Sequence, residues 1–159
     1  MTSDSRTQEI IKIKVIYGQV LGVTVVRGFA KLSDLARISK PDIYDAQTNP
    51  TGTQRDLSIK HAKEAYEYIK RTNLGYWPEL FLSARIMKGI TFMPDKQDSS
   101  FGTLILNVTE ITASKNIVIS RVDGNHRLYF ANSEETNTPP ILKNVSFCLA
   151  LDLSENDEI

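Results

Sequence analysis

The chain has 159 residues and a mass of 17.9 kDa, the size of one domain. Hydrophobic residues make up 41% and charged residues 24%, so a folded domain rather than disorder is the expectation. A single cysteine, Cys148, excludes a disulfide framework and a thiolate-rich zinc site, and 19 basic against 19 acidic side chains exclude a global field that would draw the chain onto nucleic acid or anionic membrane.

The segment Met1 to Glu9 is polar and lacks the apolar centre of a secretory signal. Ile10 to Tyr17 alternates apolar Ile11, Ile13 and Val15 with Lys12 and Lys14, the period of a half-buried strand. Val20 to Val26 is valine-rich and reads as its hairpin partner, with Gly18 and Gly28 as breaks. Phe29 to Ile38 reads as a short helix with Leu32, Leu35 and Ala36 on one side. It stops near Ser39-Lys40-Pro41, because proline disfavours helix in the residue before it. Asp42 to Arg55 reads as a loop around the turn Asn49-Pro50-Thr51-Gly52.

A helix is predicted from Ile59 to Arg71, capped by Ser58 or Asp56, with Ile59, Ala62, Tyr66 and Ile69 on one face. Leu80 to Ile86 and Ile90 to Met93 read as strands, followed by a turn-rich stretch from Pro94 to Gly102. Thr103 to Ile111 and Asn116 to Val122 are predicted to pair. Pro139-Pro140 precedes a final strand, Val145 to Leu151. No apolar run approaches the ~20 residues that span a bilayer, so no membrane contact is expected and the chain reads as cytoplasmic. The tail from Leu151 to Ile159 holds four carboxylates and no cation, leaving 19 basic against 15 acidic side chains in the rest. That excess permits a local phosphate site, and the tail itself reads as a solvated terminus.

The most informative stretch is Ile117 to Ala131, where a β-branched strand ends at Asp123-Gly124 and a helix opens at Asn125. Free N–H groups and the positive end of the helix dipole converge at such a turn. Glycine lets a phosphate approach the backbone, Arg127 offers a planar donor fork, and His126 offers a titratable donor. A plainer reading stands beside it: Asp-Gly is an ordinary turn, Asp123 can cap the helix, and Arg127 can pair with Glu134, Glu135 or another carboxylate. Arg121 can pair with Asp123 or contact a substrate.

Asp123-Gly124-Asn125-His126-Arg127-Leu128 resembles the signature of DGQHR-domain proteins, with Asn125 in place of glutamine. That family includes DndB-like proteins associated with DNA phosphorothioate modification, and it is similar more distantly to the ParB/sulfiredoxin superfamily. Asn49 to Arg55 and the following helix add a weaker upstream match, so the resemblance spans roughly half the chain. It implies an α+β fold of ParB/sulfiredoxin type, a mixed β-sheet with flanking helices. It also implies a nucleotide site for ATP or CTP lined by Gly124, Asn125, His126 and Arg127. Arg55 would be a second phosphate clamp, or instead the partner of Asp56 or Asp45.

On the same resemblance Mg2+ would bridge the phosphates, with Asp123 holding it through water, and His126 would donate to a transferring phosphoryl group or orient the nucleophile. NTP hydrolysis and phosphotransfer are both open on this reading. Sulfiredoxins carry a cysteine at the position of Asn125, so sulfinic-acid repair is excluded by analogy. The alternative implied function is a non-enzymatic DNA-binding regulator of a sulfur-modification operon. DndB-like proteins are longer, so residues 1–159 read as a single domain that is either minimal or the N-terminal part of a longer protein.

Other constellations are weaker. His61, His126 and Cys148 lack zinc-ligand spacing. Cys148 sits in an apolar run that suits an inert buried thiol. Tyr66, Tyr68 and Tyr76-Trp77 can stack on a base or fill the core, and Trp77 before Pro78 suits a packing anchor.

Overall fold

A computed structural model describes residues 7–43, 46–53, 58–131 and 136–153. The elements are β1 (Ile10–Val20), β2 (Val23–Lys31), α1 (Leu32–Ile38), α2 (Ile59–Arg71), β3 (Leu80–Ala84), β4 (Ile90–Pro94), β5 (Phe101–Asn107), α3 (Val108–Ala113), β6 (Ile119–Asp123), α4 (Asn125–Tyr129) and β7 (Asn144–Ala150). Among the described residues the strands form one mixed sheet in the order β4-β5-β1-β2-β7-β3-β6. Neighbours are antiparallel except β3 and β7, which run parallel from Leu80↔Phe147 to Ser83↔Ala150. The fold is therefore mixed α+β with flanking helices, and no helix of the described residues is long and apolar enough to cross a membrane.

The β1–β2 hairpin turns at Leu21-Gly22 with φ of 50° and 87°, the paired positive φ that lets a two-residue turn follow the strand twist. Gly18 and Gly28, expected to break the strands, lie inside them. Gly28 is needed there because a Cβ would come 2.7 Å from Lys14 O on the neighbouring strand. β2 consequently runs three residues past Gly28, and α1 starts at Leu32 rather than Phe29. Leu32, Leu35 and Ala36 are buried, as their spacing predicts.

α2 has the predicted bounds, with Ser58 as N-cap accepting from His61 N at 3.4 Å. Ala62, Tyr66 and Ile69 are buried, while Ile59 in the first turn is exposed. The predicted pairing of Thr103–Ile111 with Asn116–Val122 does not form. β5 pairs with β1 and β4, and β6 pairs with β3 at the far edge of the sheet. The cause is α3, which turns the chain away after Asn107; that side chain caps the helix by accepting from Glu110 N at 3.1 Å.

One buried layer joins Ile13, Val15 and Leu104 of the sheet to Leu35 of α1, Tyr66 of α2, Ile111 of α3 and Leu128 of α4. Each large apolar side chain in it contributes about 2 kcal/mol by burial. The opposite face of the sheet carries Lys12, Lys14, Arg27 and the exposed Ile16 and Phe29.

Candidate functional site

The signature turn is built by β6 and α4. Gly124 sits between them at φ 104° and ψ 14°, in the left-handed region, and a Cβ on it would lie 2.3 Å from Leu80 Cδ2. Only glycine satisfies both conditions. Its carbonyl accepts from Arg127 N and Leu128 N, each at 3.0 Å. Gly124 is itself the N-cap, without a side-chain cap bond, so Asp123 does not cap the helix. The Asp123 side chain is 71% exposed, with Oδ2 3.8 Å from Arg127 Nη2.

Asn125 is 7% exposed and its Oδ1 accepts from Arg121 Nη1 at 3.1 Å. Arg121, 1% exposed, also donates from Nε to Ser39 Oγ at 3.0 Å and from Nη2 to Ala36 O and Ser39 O at 3.0 and 3.2 Å. A buried guanidinium needs such acceptors, and the carbonyl end of α1 supplies them together with the negative end of its dipole. Arg121 therefore ties the signature turn to α1 from inside the protein; the expected choice between Asp123 and substrate does not describe it. His126 bridges to α2: its Nε2 accepts from Ser58 N at 3.1 Å, which places the proton of the neutral ring on Nδ1. Its ring lies edge-on to His61 at 5.9 Å, so two of the three distant segments considered for zinc do converge.

Arg127 points the other way. Its Nη1 donates to Pro78 O, its guanidinium lies 5.5 Å from the centre of the Trp77 ring, and its side chain is 14% exposed. Burial pushes its pKa down from the ordinary arginine value, against the pull of Asp123. This is a cation only partly compensated for the water it has lost, and an arriving anion would complete the compensation.

Arg127 forms one wall of a groove of about 570 Å³ lined also by Phe29, Tyr68, Tyr76, Trp77 and Lys143. The groove exists because β3 begins only at Leu80, opposite Phe147. The first residues of β7 consequently lack a β3 neighbour, and the loop carrying Tyr76 and Trp77 stands beside them. Tyr68 stacks on Trp77 at 5.7 Å and 10°, which holds that loop against α2. Tyr76 is 87% and Phe29 72% exposed. Lys143 donates to Ile69 O at 2.7 Å, Lys70 O at 3.3 Å and Thr72 O at 2.6 Å, closing the end of α2 and setting a second positive charge at the groove.

Of the signature residues, Arg127 alone lines this groove; Gly124, Asn125 and His126 build the turn behind it. Arg55 and its proposed partners Asp56 and Asp45 lie outside the described residues, as do Glu134 and Glu135. The upstream turn is present, with Gly52 N donating to Asn49 O at 3.1 Å, and it is anchored by Asp42, which pairs with Arg85 at 2.9 Å and accepts from Asn49 at 2.8 Å. The Ser58–His126 bond brings the start of α2 to the signature.

Sequence reasoning passed over Phe29, Lys143 and the internal role of Arg121. Arg121 had a signal: it alternates with Ile119, on the strand face turned to the core. Phe29 and Lys143 had none, because the gap beside β7 follows from strand order. Cys148 is half-buried rather than fully buried. Burial pushes its thiol pKa up, helped by Glu79 and opposed by Arg27. No family model, no curated protein and no solved structure matches the chain.

Proposed function

We propose that the chain is a nucleotide-binding domain of the DGQHR type, within the ParB/sulfiredoxin-like class of folds, that takes ATP or CTP for a task in DNA modification or defence. One observation carries the reading. The arginine of the signature, half-buried against Trp77 and Pro78 O, opens into a groove whose other walls include exposed aromatic rings and a lysine. Arg127 and the charge of Lys143 would hold phosphates, and Tyr76 or Phe29 would stack on the base.

Magnesium would arrive with the triphosphate and be held chiefly by its oxygens, as this hard cation prefers. Among the described residues no cluster of three or more His, Cys, Asp or Glu side chains suits a resident metal ion. Asp123, exposed and 3.8 Å from Arg127, would meet such an ion only through water. The proposal is one of binding first. His126 and Asn125 engage Ser58 and Arg121, so phosphoryl transfer would require the His126 Nδ1 proton or a water to reach the phosphates.

Thermal unfolding with ATP, CTP or GTP, each with magnesium, tests the reading. A nucleotide at 100 times its dissociation constant stabilises by about 2.7 kcal/mol, so the midpoint should rise with one of them in the wild type. The rise should vanish in Arg127→Ala, whose own midpoint without ligand serves as its baseline. No rise with any nucleotide would overturn the reading.

A further inference from the structure

The sheet face opposite the helices has a composition that the nucleotide groove does not explain. Ile16 pairs with Arg27 and Arg27 with Cys148, so these three side chains share one side. By strand alternation Lys12, Lys14, Phe29 and Lys31 point the same way. Lys14 Nζ donates across the strand pair to Thr103 Oγ1 at 3.2 Å. The outward positions of β1, β2, β5 and β7 hold four cations, Lys12, Lys14, Arg27 and Lys31, and no carboxylate. Glu79 reaches Arg27 from the segment before β3 at 2.7 Å. Beside the cations stand exposed apolar side chains, Ile16, Phe29, Met93 and Phe101. A second hollow, of about 430 Å³, shares Phe29, Tyr76 and Ser146 with the groove and extends to Ile16 and Arg27. The groove thus opens onto this face.

The geometry points to single-stranded nucleic acid as the occupant of this surface. Charge complementarity selects a polyanion, and the aromatic rings among the cations select one that offers bases for stacking. Lys12 and Lys14 are two residues apart on one strand, about 6.8 Å, a spacing that lets both follow one extended backbone. A duplex hides its base faces, and an open sheet offers no helix to its major groove. The inference goes beyond the nucleotide reading: the two share Phe29 and Tyr76, whereas Lys12, Lys14 and Lys31 belong to this surface alone.

Fluorescence anisotropy with a labelled oligothymidylate of about 12 nucleotides, a length within the range such surfaces cover, is the test. We expect saturable binding whose logarithm falls with log salt at a slope of about −2 to −3, as three or four phosphate contacts to a single strand give. Phe29→Ala should weaken it by about 5- to 100-fold, the loss of one stacked base. The double variant Lys12→Glu, Lys14→Glu should weaken binding and flatten the slope. An unlabelled duplex of equal length should compete poorly. Absence of binding, equal competition by the duplex, or an affinity unchanged by Phe29→Ala would each overturn the inference. These side chains are exposed, so unchanged thermal midpoints should show that the variants fold. The lysine variant should keep any midpoint rise with ATP or CTP, which separates failure of this inference from failure of the nucleotide reading.

Discussion

Gly124 and Arg121 show how single residues hold the signature turn in place. At Gly124 a side chain meets two penalties, the left-handed φ and the contact with Leu80. Gly124→Ala should therefore cost about 1–3 kcal/mol, read as a lower urea midpoint with unchanged slope. Arg121 is bound by geometry as much as by charge, since three of its nitrogens reach acceptors on α1 and on Asn125. Lysine would keep the charge and lose the planar fork. Arg121→Lys should thus destabilise by about 2–4 kcal/mol, because buried acceptors are left unpaired and the ammonium is poorly satisfied. An unchanged urea midpoint would show that charge alone suffices. The strand-to-helix turn at Gly124 was legible in the sequence. Arg121 was visible only as an arginine of undecided role: its alternation with Ile119 points it to the core face, but nothing local says that the end of α1 waits there.

At the scale of elements, alternation and helical spacing located β1, α2, β3, β4 and β7 closely. The misreadings share a cause: tertiary contact overrode a local signal. Gly28 looks like a break, yet the close approach of Lys14 O requires it inside β2. Val108 to Ile111 looks like a continuing strand, since valine, threonine and isoleucine favour strands, yet Asn107 caps a helix there. Asparagine followed three residues later by Glu110 was the available sign of that helix start. Asn107→Ala should cost about 1 kcal/mol, measured by chemical denaturation. A neutral result would mean that packing of Val108 and Ile111 alone holds α3 in place.

For the whole molecule, the strand order matters most. β6 sits at one edge of the sheet beside β3, and β3 starts late against β7. That stagger leaves the hollow into which Arg127, Trp77 and Tyr76 project. Periodicity announced an α+β chain with a strand-to-helix turn at Gly124. The groove joining residues from β2, α2, α4 and β7 was beyond their reach, because those residues are as many as 117 positions apart in the chain, from Phe29 to Ser146. Zero net charge also concealed how the cations are sorted: the open sheet face carries lysines, while part of the acidic balance lies in the tail.

The chain holds one tryptophan, Trp77, placed between Tyr68 and the Arg127 guanidinium at the groove wall. It is a built-in reporter of that site. The most direct measurement is a titration of its fluorescence with magnesium ATP and magnesium CTP, corrected for nucleotide absorbance, on the wild type and on Tyr76→Ala. A saturable change with at least one nucleotide is expected in the wild type. The same nucleotide should bind at least several-fold more weakly to the variant, whose exposed side chain is not needed for folding. A Trp77 signal indifferent to both nucleotides would contradict the assignment of this groove as a nucleotide site.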